Sequence, residues 1–262
     1  MSRVGRLSAS VRAAALSFLR RRTAVFFTFL FPLLIVLIFG ALVQTQPTDG
    51  GLFTEPPGYY VPGYLAVVVL FTPLSRVGSE VARHREGNRF EKLATTPLRR
   101  WEWLLAQTIV NVLIIGLAAL LLLGLLVVVT GPEIYFSPLL VPFVAFGVAL
   151  FCGIGALLGS FADSQDGVIA ASNALALPLL FLSETFVPPS MLPAWFRPLL
   201  DLSPLTYFSR GVRAATFDHP SLVDGVVLAS YGGDDPLVNL GILTGLAILA
   251  LALGAFALPT TD

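Results

Sequence analysis

EVARHREGNRFEKLATTPLRRWEW, residues 80–103, is a short polar and basic island between two long apolar runs. Upstream, 61–79 has Arg76 as its only charge; downstream, 104–129 has none. A membrane-crossing helix needs about 20 mostly apolar residues. Both flanks therefore read as spans, and the island as the loop that joins them on one face of the bilayer. Working outward, six stretches qualify: 24–43, 61–79, 104–129, 139–160, 167–187 and 237–258. The expected fold class is an all-α integral membrane protein with six spans. Composition agrees. Of 262 residues, 56% are hydrophobic and 12% charged, with mean hydropathy +0.84, against about 25% charged in a soluble domain.

Loop charge sets the orientation. Arg3, Arg6, Arg12, Arg20, Arg21 and Arg22 precede the first span, and Arg83, Arg85, Arg89, Lys92, Arg99 and Arg100 fill the island, whereas 44–60 and 130–138 hold no Lys or Arg. Basic loops stay in the cytoplasm, so both termini are expected inside and 188–236 outside, in the plasma membrane. The loop at 161–166 should also be inside yet carries Asp163 and Asp166; acidic residues contribute little to this rule.

The segment 2–22 places Val4, Leu7, Val11, Ala14, Ala15, Phe18 and Leu19 at steps of three and four. It reads as an interfacial helix in the headgroup plane; a signal peptide is the competing reading, but no clear small-residue cleavage site follows. The outer stretch PPSMLPAWFRPLLDLSPLTYFSRGVRAATF (188–217) is too broken by proline to span and too apolar to hang in water. It is expected to form short helices dipping into the outer interface, where Trp and Tyr are favoured. The rest, up to 236, carries Asp218, Asp224, Asp234 and Asp235 and reads as an acidic surface loop.

Within the island a helix over 83–95 would place Phe90, Leu93 and Ala94 on one side and Arg85, Arg89 and Lys92 largely on others. Thr96-Pro97 would stop it, because proline disfavours helix in the preceding residue. Such a helix is a docking element; charge alone is equally met by an ordinary positive-inside loop. The order of residues adds more. "E-G … E-K-L … T-T-P-L-R-R-W-E" (86–102) resembles the cytoplasmic stretch of ABC type-2 exporter membrane subunits. "L-P-L-L-F-L-S-E-T-F-V-P … L-P-A-W-F … S-P-L-T-Y … G-V-R" (177–213) is similar to that family's fifth span and outer re-entrant helices, and "R-R-R-T-A-V-F-F-T-F-L-F-P" (20–32) to its connecting helix and first span. The resemblance covers nearly the whole chain in order and is nearest the daunorubicin-resistance type of multidrug or lipid exporter.

The resemblance implies that 1–262 is a single ABC type-2 transmembrane domain. Glu86, Gly87, Phe90, Leu93, Thr96, Pro97 and Leu98 would form the coupling helix for an ABC ATPase subunit. Two copies of that ATPase would carry ATP and Mg, with no cofactor in this chain. It would work with a second copy of itself or a related permease, among membrane lipids, with no nucleic acid. The substrate would be a hydrophobic or amphipathic drug, lipid or lipid-linked glycan. The family usually has Gly at Glu184, Asn at Ser203 and Gly-Lys at Ala106-Gln107, departures that leave the substrate class open.

Glu184 is an ionisable residue in an apolar run. It lies either at headgroup depth, solvated from outside, or facing the bundle, where it would favour cationic amphiphiles. Asn173, Trp195, Phe196, Tyr207 and Phe208 complete the expected substrate path or outer gate; Asn173 reads equally as glue to a neighbouring helix. Arg76 reads as a snorkelling residue, and Gly153, Gly155 and Gly159 as a small-residue packing stripe. One cysteine, Cys152, and two histidines exclude an internal disulfide and a metal cluster. There is no G-x-x-x-x-G-K-S/T, H-E-x-x-H or G-x-S-x-G, so ATP hydrolysis by a P-loop is excluded. Two other classes stay in competition: an ion-coupled secondary transporter, which wants midplane charges and repeats, and a membrane-embedded lipid-modifying enzyme, for which no nucleophile or metal site is evident.

Overall fold

A computed structural model describes residues 3–38, 57–130, 137–187, 189–216, 222–223, 226–227 and 235–259. Among these, the helices in chain order are α1 (Arg3–Leu19), α2 (Arg22–Val36), α3 (Val61–Glu86), α4 (Arg89–Ala94), α5 (Arg100–Thr130), α6 (Leu140–Phe161), α7 (Gln165–Phe181), α8 (Arg197–Leu200), α9 (Pro204–Thr216) and α10 (Pro236–Ala257). A two-residue antiparallel ladder pairs Leu222–Val223 with Val226–Val227. Four helices, α3, α5, α6 and α10, are long and apolar enough to cross a membrane; α2 and α7 are apolar but shorter. Residues 39–43 of the first expected span, and Asp218, Asp224 and Asp234 of the acidic loop, lie outside the described residues.

Two helix boundaries differ from the sequence reading. The expected fifth span, 167–187, stops being helical at Phe181. Pro178 lies in its last turn, and the hydroxyls of Ser183 and Thr185 both donate to the Leu180 carbonyl, at 2.8 and 2.7 Å, closing the helix end. The single helix expected over 83–95 is two helices. α3 continues to Glu86, past the apolar boundary at 79, and Asn88 then adopts a left-handed conformation (φ 49°, ψ 34°), a region Asn tolerates better than most residues. The chain turns there and restarts as α4.

α6 sits at the centre, packed against α3 and α10, with α5 on its flank and α7 against α3 beside it. The glycine stripe makes this possible. A β-carbon at Gly155 would meet the Leu74 carbonyl of α3, and one at Gly153 the backbone of Ala250 in α10; Gly159 abuts Gly78. Close backbone approach supplies the packing that membrane helices cannot get from a hydrophobic effect, and the stripe is spent within the chain. α1 lies along α5, with Ala14 and Phe18 buried and Val4, Leu16 and Leu19 exposed. α9 is amphipathic and lies under α3, α6 and α10, burying Leu205, Phe208 and Val212.

Candidate functional site

The end of α3 organises one face of the molecule. Its last turn carries Arg83, His84 and Arg85, where the helix dipole favours cations. Arg85 Nη1 donates to the carbonyls of Gly159 (3.2 Å) and Ala162 (2.8 Å), capping α6. The next residue, Glu86, accepts from the backbone N–H of Gln165 (3.1 Å) and from its side-chain amide (3.4 Å) at the start of α7. A cation thus meets the negative end of one helix and an anion the positive end of the next. The acidic turn after α6 consequently lies beside the basic island. Arg100 does the same for α10, donating to the Leu258 carbonyl at 2.7 Å. Glu102, ahead of the apolar run that begins at Leu104, accepts from Arg6 (3.0 Å) and from the Arg99 N–H (2.9 Å).

α4 is pinned to this end by rings. Phe90 lies 5.5 Å from Trp103 and 5.4 Å from His84, and His84 lies 5.3 Å from Trp103, centroid to centroid. Leu93 and Leu98 pack beside them, half-buried against the core. The hydroxyls of Thr95 and Thr96 fold back onto the carbonyls of Lys92 (2.8 Å) and Leu93 (2.6 Å), ending the helix before Pro97. The seven island residues singled out from sequence therefore divide. Phe90, Leu93 and Leu98 face the protein's own body; Glu86, Gly87, Thr96 and Pro97 are exposed, together with Arg89, Glu91 and Lys92. Beside α4 opens a recess of about 150 Å³ lined by Phe90, Leu93, Leu98, Arg99 and Trp103.

The opposite end is built differently. Glu184 is 4% exposed and has φ 57°, the left-handed region where glycine is the easiest occupant, which is what the family resemblance expects there. Its carboxylate takes a two-pronged contact from Arg210, Nη2 to Oε1 at 2.6 Å and Nε to Oε2 at 3.1 Å. Arg213 donates to the Glu184 carbonyl at 2.6 Å and stacks on Tyr59, 4.0 Å from the ring centroid. Arg210 also pairs with Asp201 at 2.9 Å. Glu184 is thus a buried carboxylate, turned in from solvent and paired with two arginines.

The other residues expected at the path or gate scatter. Phe208 is fully buried, against Gly147 of α6. Tyr207 is half-buried and donates to the Asp201 carbonyl at 2.7 Å. Trp195 is exposed and meets Phe196 edge to face at 5.4 Å. Asn173 is exposed on a face of α7 with Ile169, Leu177 and Phe181. Sequence reasoning missed Arg85, Arg100, Arg210 and Arg213 as organising residues. A signal existed for the last two: a carboxylate in an apolar run requires a partner, and Arg210 and Arg213 are two of the three basic residues in the outer stretch.

Comparison with known proteins bears on the whole arrangement. The family described as ABC-2 type transporter matches residues 6–217, from α1 through α9. A daunorubicin resistance ABC transporter permease protein of Streptomyces coeruleorubidus is 26% identical over 214 residues, 78% of this chain and 72% of that protein. A probable multidrug ABC transporter permease of Escherichia coli is 23% identical over 155 residues, 58% of this chain and 41% of that protein. A protein named as a transport permease in Porphyra purpurea is 23% identical over 261 residues, 95% of this chain and 86% of that protein. With apolar helices packed through glycine contacts and a family match across most of its length, this multi-pass membrane chain belongs to the ABC-2 type transporter family.

Proposed function

We propose that this chain is the membrane-spanning permease subunit of an ATP-driven exporter of hydrophobic or amphipathic compounds. A separate ABC ATPase would dock on α4. One observation carries this reading: α4 is held by the Phe90–His84–Trp103 cluster while its Arg89 and Lys92, and Thr96 and Pro97 just after it, are exposed. A rigid, charged, solvent-facing helix at the membrane surface can pass a push from a soluble partner to α3 and α5. An ordinary loop would absorb it. The names of the drug-resistance and multidrug relatives support the substrate class.

In this reading α2 and α7 complete six spans, both termini and α4 face the cytoplasm across the plasma membrane, and two copies form the path between them. The exposed face of α7 would line that path, since the Asn173 amide is costly against lipid and is better placed in a polar or partnered setting. Glu184 and its arginines would brace the outer closure formed by α8 and α9 rather than select substrate charge. The test is purification of the chain with a co-expressed ATP-hydrolysing subunit, reconstitution in lipid, and measurement of Mg-dependent ATP hydrolysis with and without amphipathic drugs. Stimulated hydrolysis that depends on this chain is expected. A chain that transports along an ion gradient with no ATPase present would overturn the proposal.

A further inference from the structure

We infer that the recess enclosed by α1, α2, α3 and α5 binds the phosphate of an anionic phospholipid. The inference rests on the membrane-subunit reading only for which leaflet supplies the lipid. The recess holds about 50 Å³ and is lined by Ser17, Phe18, Arg21, Arg76, Glu80 and Gln107, with alanines on the remaining walls. A water needs roughly 10–15 Å³ of such space, so the recess has room for the oxygens of one phosphate.

Arg76 is the reason to expect an anion. It lies near the end of the apolar part of α3, where a charge is costly and needs partners. Its hydrogen bond goes to Asn111 Oδ1, at 3.1 Å, and its guanidinium lies over Phe18, 4.4 Å from the ring centroid. Neither partner carries charge, and among the described residues no ion pair includes Arg76. The nearest carboxylate, Glu80, is already engaged by Arg83, and both Arg21 and His84 lie 3.5 Å from it. Among the charged side chains that line the recess, Arg21 and Arg76 outnumber Glu80, which Arg83 already engages from outside it, so the recess keeps a positive excess.

The donor set suits phosphate. A guanidinium offers a planar fork that matches two phosphate oxygens, and the Ser17 hydroxyl and Gln107 amide add neutral donors. The surroundings favour a lipid over a soluble anion. Leu16 and Leu19 of α1 and Phe26 and Phe27 of α2 are exposed on the helices that form the recess. Acyl chains would cover that apolar surface while the headgroup reaches Arg76 and Arg21.

The test uses the full chain, stripped of lipid in detergent and titrated with phosphatidylglycerol or phosphatidylcholine under native mass spectrometry. Phosphatidylglycerol should be retained about tenfold more tightly than the zwitterionic lipid, the range a charge-assisted contact supplies. Arg76→Gln should lose about that factor. Arg21→Gln, at an open corner and so unable to unfold the bundle, should lose severalfold. Arg12→Gln, exposed elsewhere on α1, should change nothing. Equal retention by the wild type and both recess variants would overturn the inference. So would displacement of phosphatidylglycerol by millimolar inorganic phosphate, which would make the recess a site for a soluble anion. Neither result touches the ATPase-driven reading, which is measured by hydrolysis.

Discussion

The two ends of this molecule use charge in opposite ways. At the α3–α4 end, Arg85, Glu86 and Arg100 are spent on the backbone termini of α6, α7 and α10, and Arg89 and Lys92 remain exposed. At the other end, Glu184, Arg210, Arg213 and Asp201 pair among themselves, two cations against two carboxylates, with Glu184 and Arg213 buried, Arg210 half-buried and Asp201 at the exposed rim. The first pattern makes a platform with charge to offer a partner. The second makes a neutral bracket that holds α9 against the end of α7. The proposed subunit, which would take a push on one side and stay closed on the other, would need both.

The largest expected effect comes from breaking the bracket. Glu184→Ala leaves Arg210 and Arg213 without their shared carboxylate, and loss of one partner of a buried pair costs about 3–5 kcal/mol. A lower unfolding midpoint in detergent should report it, with faster proteolysis near 189–203. Glu184→Gly should be milder than Ala by about 1 kcal/mol, because glycine relieves the left-handed backbone at φ 57°. A Glu184→Ala protein as stable as wild type would mean that the network does not hold α9 to the end of α7.

Next in size is Phe90→Ala. Removing a half-buried ring from the three-ring cluster should cost about 2 kcal/mol, below the range for a fully buried Phe. The loss should be local, read as faster cleavage at Gly87-Asn88 with the Glu184 end unchanged. Unfolding of both ends together would mean they are one cooperative unit, and the contrast drawn between them would lose its force. Smallest is Lys92→Ala: stability within about 0.5 kcal/mol of wild type, but weaker retention of the ATP-hydrolysing subunit on co-purification, more so at high salt. Unchanged retention at every salt concentration would remove Lys92 from the docking face.

Much of the frame was legible in the sequence because membrane helices are written in continuous apolar runs. The spans that became α3, α5, α6 and α10 needed only their length and lack of charge. Helix ends were less legible. α3 runs seven residues past its apolar boundary because its last turns are stabilised by contacts to α6 and α7, which no local pattern encodes. The break at Asn88 depends on one left-handed residue, and α7 ends early because Ser183 and Thr185 bond back to Leu180. A helix in the island was readable, but its residues were not sortable into inward and outward ones until Trp103 was seen to meet Phe90. At Glu184 the sequence offered a lone carboxylate; the arginines that neutralise it arrive 26 and 29 residues later, on α9.

The central claim, that the ATPase docks on α4 and not on the outer end, is tested most directly by site-directed crosslinking. The buried Cys152 is the chain's sole cysteine, so Cys152→Ala clears the background for single cysteines at Lys92 and at Trp195. Both positions are exposed. With the ATP-hydrolysing subunit bound, a bifunctional thiol–amine reagent should join it to the Lys92→Cys chain and leave the Trp195→Cys chain unlinked. A product from position 195, or none from position 92 while the two subunits still purify together, would contradict the account.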